Sequence, residues 1–168
     1  HIHSSSSTFI DKDFEEKKKN FTDFKSYENY FKTQRILVNQ DKREELIKKE
    51  FSKILNKKKL TIEDNPRLIE EVINLVENPN VLMCSFDKKF LSIPKEILVL
   101  TMQSHQKYFP IFDSKGEITN EFLIVANKKD LKGLIKIGNE RVVEARLRDA
   151  EFFWNKDKSK NLVKKVSE

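Results

Sequence analysis

Apolar residues recur at a helical period in four stretches of this chain and gather into short continuous runs elsewhere. The order in which the two patterns alternate limits the fold. Within residues 41–59, Leu46, Ile47, Phe51, Ile54 and Leu55 form one stripe, with Asp41 and Glu44 at capping-box spacing and Lys57–Lys59 where cations suit a helix end. A second stripe, Leu68, Ile69, Val72, Ile73 and Val76, follows Asn65-Pro66, a cap and a first-turn proline, and stops at Asn78-Pro79-Asn80. A third helix is expected over 94–104. A fourth is expected over 139–155, where Val142, Val143, Leu147, Ala150 and Phe153 recur. Ser26 is a cap for a further short helix over 26–32.

Strands are expected at 35–39, at the continuous run 81–86, and at 106–113 and 121–127. The last two flank Ser114-Lys-Gly-Glu, a turn with glycine where positive φ is needed, and read as a hairpin. Pro110 makes the first arm an edge strand or a bulged one. The order is strand, helix, helix, strand, helix, hairpin, helix. That is an α+β fold with a mixed sheet flanked by helices, without the strict alternation of a doubly wound sheet. Residues 1–34 are expected to be poorly ordered or linker-like: the polar 1–8 reads as a loop, linker or added residues, and 11–20 as irregular. Residues 35–168 are expected to be one domain, cut from a larger chain because the terminal helical pattern simply stops.

Several chemistries lack their residues. Gly116, Gly133 and Gly138 are the three glycines in 168 residues and cannot make a dinucleotide fingerprint. Gly133 and Gly138 have phosphate-loop spacing, but Asn139 and Glu140 replace the required Lys and hydroxyl; a loop glycine before a cap at Asn139 is the simpler reading. Cys84, the single cysteine, sits in an apolar run and is expected to be core. His1 and His3 supply two ligands at a free end, too few for a zinc site. The longest apolar run, 122–126, is far below the roughly 18 residues a membrane span needs.

The net charge of +6 is uneven. Residues 35–60 carry nine basic and four acidic groups, 61–100 carry four and seven, and 135–168 carry nine and six. Such basic segments are either solvated lysine-rich faces or surfaces that attract a polyanion. Two segments go beyond composition. Thr101-Met-Gln-Ser-His-Gln-Lys-Tyr-Phe-Pro110 packs donors, a ring and a cation into a helix end and a strand start, the set that reads unpaired bases and phosphates. It equally suits a helix terminus where His105 and Lys107 meet the dipole and Tyr108 packs. In 138–154, Arg141 and Arg148 share a side of a helix, while Asp149 falls on or beside the apolar seam with Arg146 as a partner. That arrangement is a buried ion pair at a domain junction or an arginine face toward phosphate. His105, Lys107, Tyr108, Arg141 and Arg148 are the candidate RNA contacts, and Arg146 with Asp149 the candidate structural pair. No catalytic, cofactor or metal residue is assigned.

Three blocks carry a family resemblance: "VLMCSFDKKFLSIPKEIL" (81–98), "TMQSHQKYFPIFD" (101–113) and "GNERVVEARLRDAEFFW" (138–154). Their order and spacing resemble the β chain of bacterial heterotetrameric glycyl-tRNA synthetase over residues 35–168. Cys84 stands where that family often has Gly, and Lys128-Lys129 replace the usual continuation after Asn127. The resemblance implies a cytoplasmic ligase of two α and two β chains. The α chain would hold ATP with Mg and glycine, and the β chain would recognise and position glycine's tRNA, with no membrane or DNA partner. It also implies a fold similar to the editing-type module of the phenylalanyl-tRNA synthetase β chain. Hydrolytic editing is not required physically, because a pocket for the smallest amino acid rejects larger ones by collision. The alternatives are a purely structural module joining β-chain domains and the α chain, or a vestigial deacylase.

Overall fold

The computed structural model describes residues 5–10, 16–21, 24–33 and 39–166. Strands β1 (Ser5–Ile10) and β2 (Glu16–Phe21) pair antiparallel, and helix α1 (Phe24–Thr33) follows. Much of 5–8 and 16–20, read from sequence as loop and irregular chain, is therefore strand. The strand expected at 35–39 lies outside the described residues except for Asn39.

Helix α2 (Gln40–Lys58) starts at Asn39, whose Oδ1 accepts the backbone N–H groups of Asp41 at 2.9 Å and Lys42 at 3.4 Å. Asn39, not Asp41, is thus the cap. Its stripe narrows to Ile47, Phe51 and Leu55 as the buried apolar line. Lys59 closes the helix with φ 53°, and the Leu60 N–H reaches the Leu55 carbonyl at 3.1 Å. After the two-residue strand β3 (Thr61–Ile62), helix α3 (Pro66–Leu75) begins as read, with Asn65 Oδ1 accepting from Leu68 N–H at 3.0 Å. A strand β4 (Asn80–Ser85), a 3₁₀ turn (Lys88–Ser92), helix α4 (Lys95–Gln106), strands β5 (Phe109–Phe112) and β6 (Ile118–Ala126), and the long helix α5 (Leu134–Val166) complete the chain.

Four strands form one sheet in the order β3-β5-β6-β4, and all three pairings are antiparallel. The expected mixed sheet is corrected. β4 and β5 run the same way, but β6, the return arm of the hairpin, lies between them and removes any parallel contact. The hairpin turns where Gly116 has φ 78° and Asp113 Oδ1 accepts from Lys115 and Glu117 N–H at 2.9 and 3.0 Å. Pro110 sits at a register shift between Pro110 and Phe112, and β3 pairs only with Phe112 and Ile111, so no ladder bond is demanded of its nitrogen there.

The sheet is sandwiched. On one face Ile47, Phe51, Leu55 and the α3 stripe pack on Phe109, Ile111 and Leu123. On the other, Leu98 and Met102 of α4 and Val143 and Leu147 of α5 pack on Cys84, Phe122 and Ile124. Alternate residues of β6 therefore serve opposite cores, and β4, covered on both sides, needs the unbroken apolar run that its sequence shows.

Candidate functional site

The family-like blocks meet where α5 crosses the end of β4. Tyr108 is 3% exposed, and its hydroxyl donates to Asn139 Oδ1 at 2.7 Å. Asn139 Nδ2 donates in turn to the Ile135 carbonyl at 2.8 Å. The next residue, Glu140, accepts the Ser85 N–H at 2.8 Å and its hydroxyl at 3.3 Å through Oε1. One turn on, Glu144 Oε1 accepts the Asp87 N–H at 3.2 Å. Asp87 spends its own carboxylate on Lys89 N–H at 3.0 Å, starting the 3₁₀ turn. Three side chains of one helix thus fix three successive points of the sheet end. A charged acceptor on a backbone N–H is among the stronger hydrogen bonds.

This clamp corrects Tyr108 as an RNA contact: its ring is in the core against Phe122, centroids 4.9 Å apart, and its hydroxyl is used. Burial pushes the Tyr108 phenol up to about 12 and the Cys84 thiol, also buried, up to about 12. Cys84 is core, as expected, and stays protonated near neutrality. The sequence marked Asn139 as a helix cap and Glu140 as a misfit in a phosphate loop, but it gave no clamping role to Asn139, Glu140 or Glu144. Their signal was present: 140 and 144 flank the Val143–Leu147 seam, a poor place for carboxylates without partners.

Lys107 ends α4 in the left-handed region, φ 56°, with the Tyr108 N–H on the Met102 carbonyl at 3.1 Å. Its ammonium pairs with Glu71 of α3, which also meets Arg67 Nε at 3.4 Å. The Lys107 hydrogen bond, above all, holds the Glu71 carboxyl below its ordinary range. These groups line a shallow cleft of about 270 Å³ between α3 and α4, with Asn65, Leu100, Gln103 and Ser104. His105 lies in the last turn of α4, and its side chain is outside the described residues, as are His1 and His3.

Helix α5 starts at Leu134, five residues before the expected point. Gly133, φ 69°, precedes it, and the Asp130 carboxylate accepts from Ile135 and Lys136 N–H at 3.0 and 2.8 Å. Gly138 and Asn139 lie inside the helix, so the phosphate-loop spacing corresponds to no loop and the residues present do not fit a bound nucleotide. Arg141 and Arg148 are exposed on the side of α5 away from Val143 and Leu147, and among the described residues neither has a carboxylate partner within 4 Å. Arg146 and Asp149 are also exposed, and no ion pair joins them among the described residues. Asp149 is two residues past Leu147, hence off the seam, and needs no buried partner. Lys107 faces α3 while both arginines face outward from α5, so the candidate contacts are not brought into one cluster.

The chain is thus an α+β domain whose antiparallel sheet is clamped to a long helix, and the comparisons make the family specific. A model of the glycyl-tRNA synthetase beta subunit family matches residues 1–168, including the first 34 that the three blocks leave out. The glycine–tRNA ligase beta subunit of Acidovorax ebreus is 50% identical over 107 residues, 62% of this chain and 15% of that protein. Those of Rickettsia felis and Rickettsia akari are 40% identical over 151 residues and 38% over 167, covering 89% and 99% of this chain and 23% and 25% of theirs. The chain belongs to the glycyl-tRNA synthetase beta subunit family, and it spans about a quarter or less of the length of the curated relatives it matches. Among the described residues no helix is long and apolar enough to cross a membrane.

Proposed function

We propose that this chain is a tRNA-positioning segment of the β subunit of a heterotetrameric glycine–tRNA ligase, in the cytoplasm, and is not itself catalytic. Its partners are the α chain, the remainder of the β chain and glycine's tRNA. ATP with Mg belongs to the α chain. Arg141 and Arg148, with His105 and Lys107 at the α4 end, are the RNA contacts. The observation that carries this reading is that both arginines are exposed and, among the described residues, without an ion-pair partner, while the neighbouring Glu140 and Glu144 turn their carboxylates onto backbone N–H groups. The outer face of α5 is thereby left more positive than its sequence suggests.

The test is reversal of both charges, Arg141→Glu and Arg148→Glu, in the whole synthetase. Binding of tRNA should weaken, and the slope of log affinity against log salt should flatten by about 0.7–0.9 per lost phosphate contact. Unchanged affinity and slope defeat the assignment. A second reading, the assembly module, is favoured by exposed Leu131 in the turn before α5 and exposed Leu134 and Ile137 in its first turn. It predicts that substituting these leaves tRNA affinity alone and shifts the size of the complex. Similarity to the phenylalanyl-tRNA synthetase editing module remains part of the proposal, without a hydrolytic role.

A further inference from the structure

Phe153 belongs to the apolar stripe expected from sequence, yet it is 62% exposed and its neighbour Phe152 is 63% exposed. Their rings touch edge to face with centroids 5.6 Å apart. Solvent exposure of two adjacent aromatic rings is a surface waiting for a flat or apolar partner. The residues around Phe152 say which. Going outward along one side of α5, the order is Arg141, Ala145, Arg148, Phe152 and Lys156. Steps of three or four residues put each about 4.5–6 Å further along the axis. The Lys156 ammonium lies 6.0 Å from the Phe152 ring centroid. Lysine is depleted from the cores of protein–protein interfaces, whereas a ring between cations is what an unpaired base and its flanking phosphates require.

We propose that Phe152 is a stacking platform for an unpaired nucleotide of the bound RNA, with Arg148 and Lys156 meeting the phosphates on either side. This inference rests on the tRNA-positioning reading and extends the same helix face by one module. Phe153 braces the Phe152 ring from the side. Asp149, one turn before both rings, is a carboxylate that opposes the phosphates and tunes the affinity downward.

The experiment uses the complete synthetase carrying single substitutions in this chain, with a transcript of glycine's tRNA as the probe. Phe152→Ala and Phe152→Leu should each weaken binding roughly ten- to a hundredfold, the worth of one stacked base. Phe152→Tyr should stay within about threefold of the parent, and Asp149→Asn should bind more tightly. The salt slope should not change in the Phe152 variants, because no phosphate contact is lost. That separates this inference from the arginine assignment, whose failure shows in the slope. Three results overturn it: full affinity in Phe152→Ala, equal rescue by Leu and Tyr, or a change in complex size in Phe152→Ala, which would make the ring a protein contact. Because Phe152 is exposed, the variants fold, and a melting curve checks this.

Discussion

The Tyr108 hydroxyl donates to Asn139 Oδ1 at 2.7 Å, tying the residue before β5 to the second turn of α5. Two blocks of sequence about thirty residues apart therefore owe part of their character to one buried hydrogen bond. Tyr108→Phe keeps the ring and leaves Asn139 Oδ1 without its donor. The expected cost is about 1 kcal/mol in urea denaturation, with tRNA affinity unchanged where the protein is folded. Loss of tRNA binding at full stability would return Tyr108 to the RNA face.

Leu147 and Phe152 separate support from surface on the same helix. Leu147 is 0% exposed, and Leu147→Ala should cost about 2–5 kcal/mol by leaving a cavity against the sheet. Phe152→Ala should change stability by no more than about 0.5 kcal/mol despite removing a larger side chain. Chemical denaturation of the two variants side by side checks the contrast, and a large loss in the second would place its ring in a core.

Arg146 and Asp149 carry the opposite expectation from the one their spacing suggests. Both are exposed and no ion pair joins them, so a double-mutant cycle with Arg146→Ala and Asp149→Asn should give a coupling near zero, below about 0.3 kcal/mol. A coupling above about 1 kcal/mol would restore the structural pair.

Much of the architecture could be read ahead of the coordinates where local chemistry and packing agree. Asn65-Pro66 starts α3 because a side-chain acceptor and a missing N–H both suit a helix entry, whatever packs against it. Gly116 marks the hairpin for a similarly local reason. The misses have tertiary causes. β3 is two residues long and exists through its pairing with Ile111 and Phe112, which no period can reveal. The start of α5 is set by the Asp130 carboxylate, while Gly138-Asn139 imitates a boundary inside the helix. The stripe ending in Phe153 keeps its period, but the helix runs about 50 Å over 33 residues and outlasts the sheet beneath it. Leu147 is its last buried residue among those described. The candidate site was legible as a set of residue types. Which of them face water was not, because the exposure of Arg141 and Arg148 and the burial of Tyr108 depend on which side of α5 meets the sheet.

Cys84 and Tyr108 make stability depend on alkaline pH. Burial raises the thiol from an ordinary 9.0 to about 12 and the phenol from 10.0 to about 12. Both groups are neutral when protonated, and the folded chain holds their protons more tightly than the unfolded chain does. Their contribution is thus complete below about pH 9 and is lost as pH rises toward 12, where the unfolded state gains by ionising. The unfolding free energy should fall across that window. Cys84→Ala should lower stability at pH 7 by the small cavity it leaves, yet flatten the decline above pH 9, because one of the two titrating groups is gone. Urea denaturation at pH 7, 9 and 10.5 reads both effects. A decline as steep in Cys84→Ala as in the parent would mean that the thiol ionises as easily in the folded protein as in the unfolded one, and that the core around Cys84 admits water.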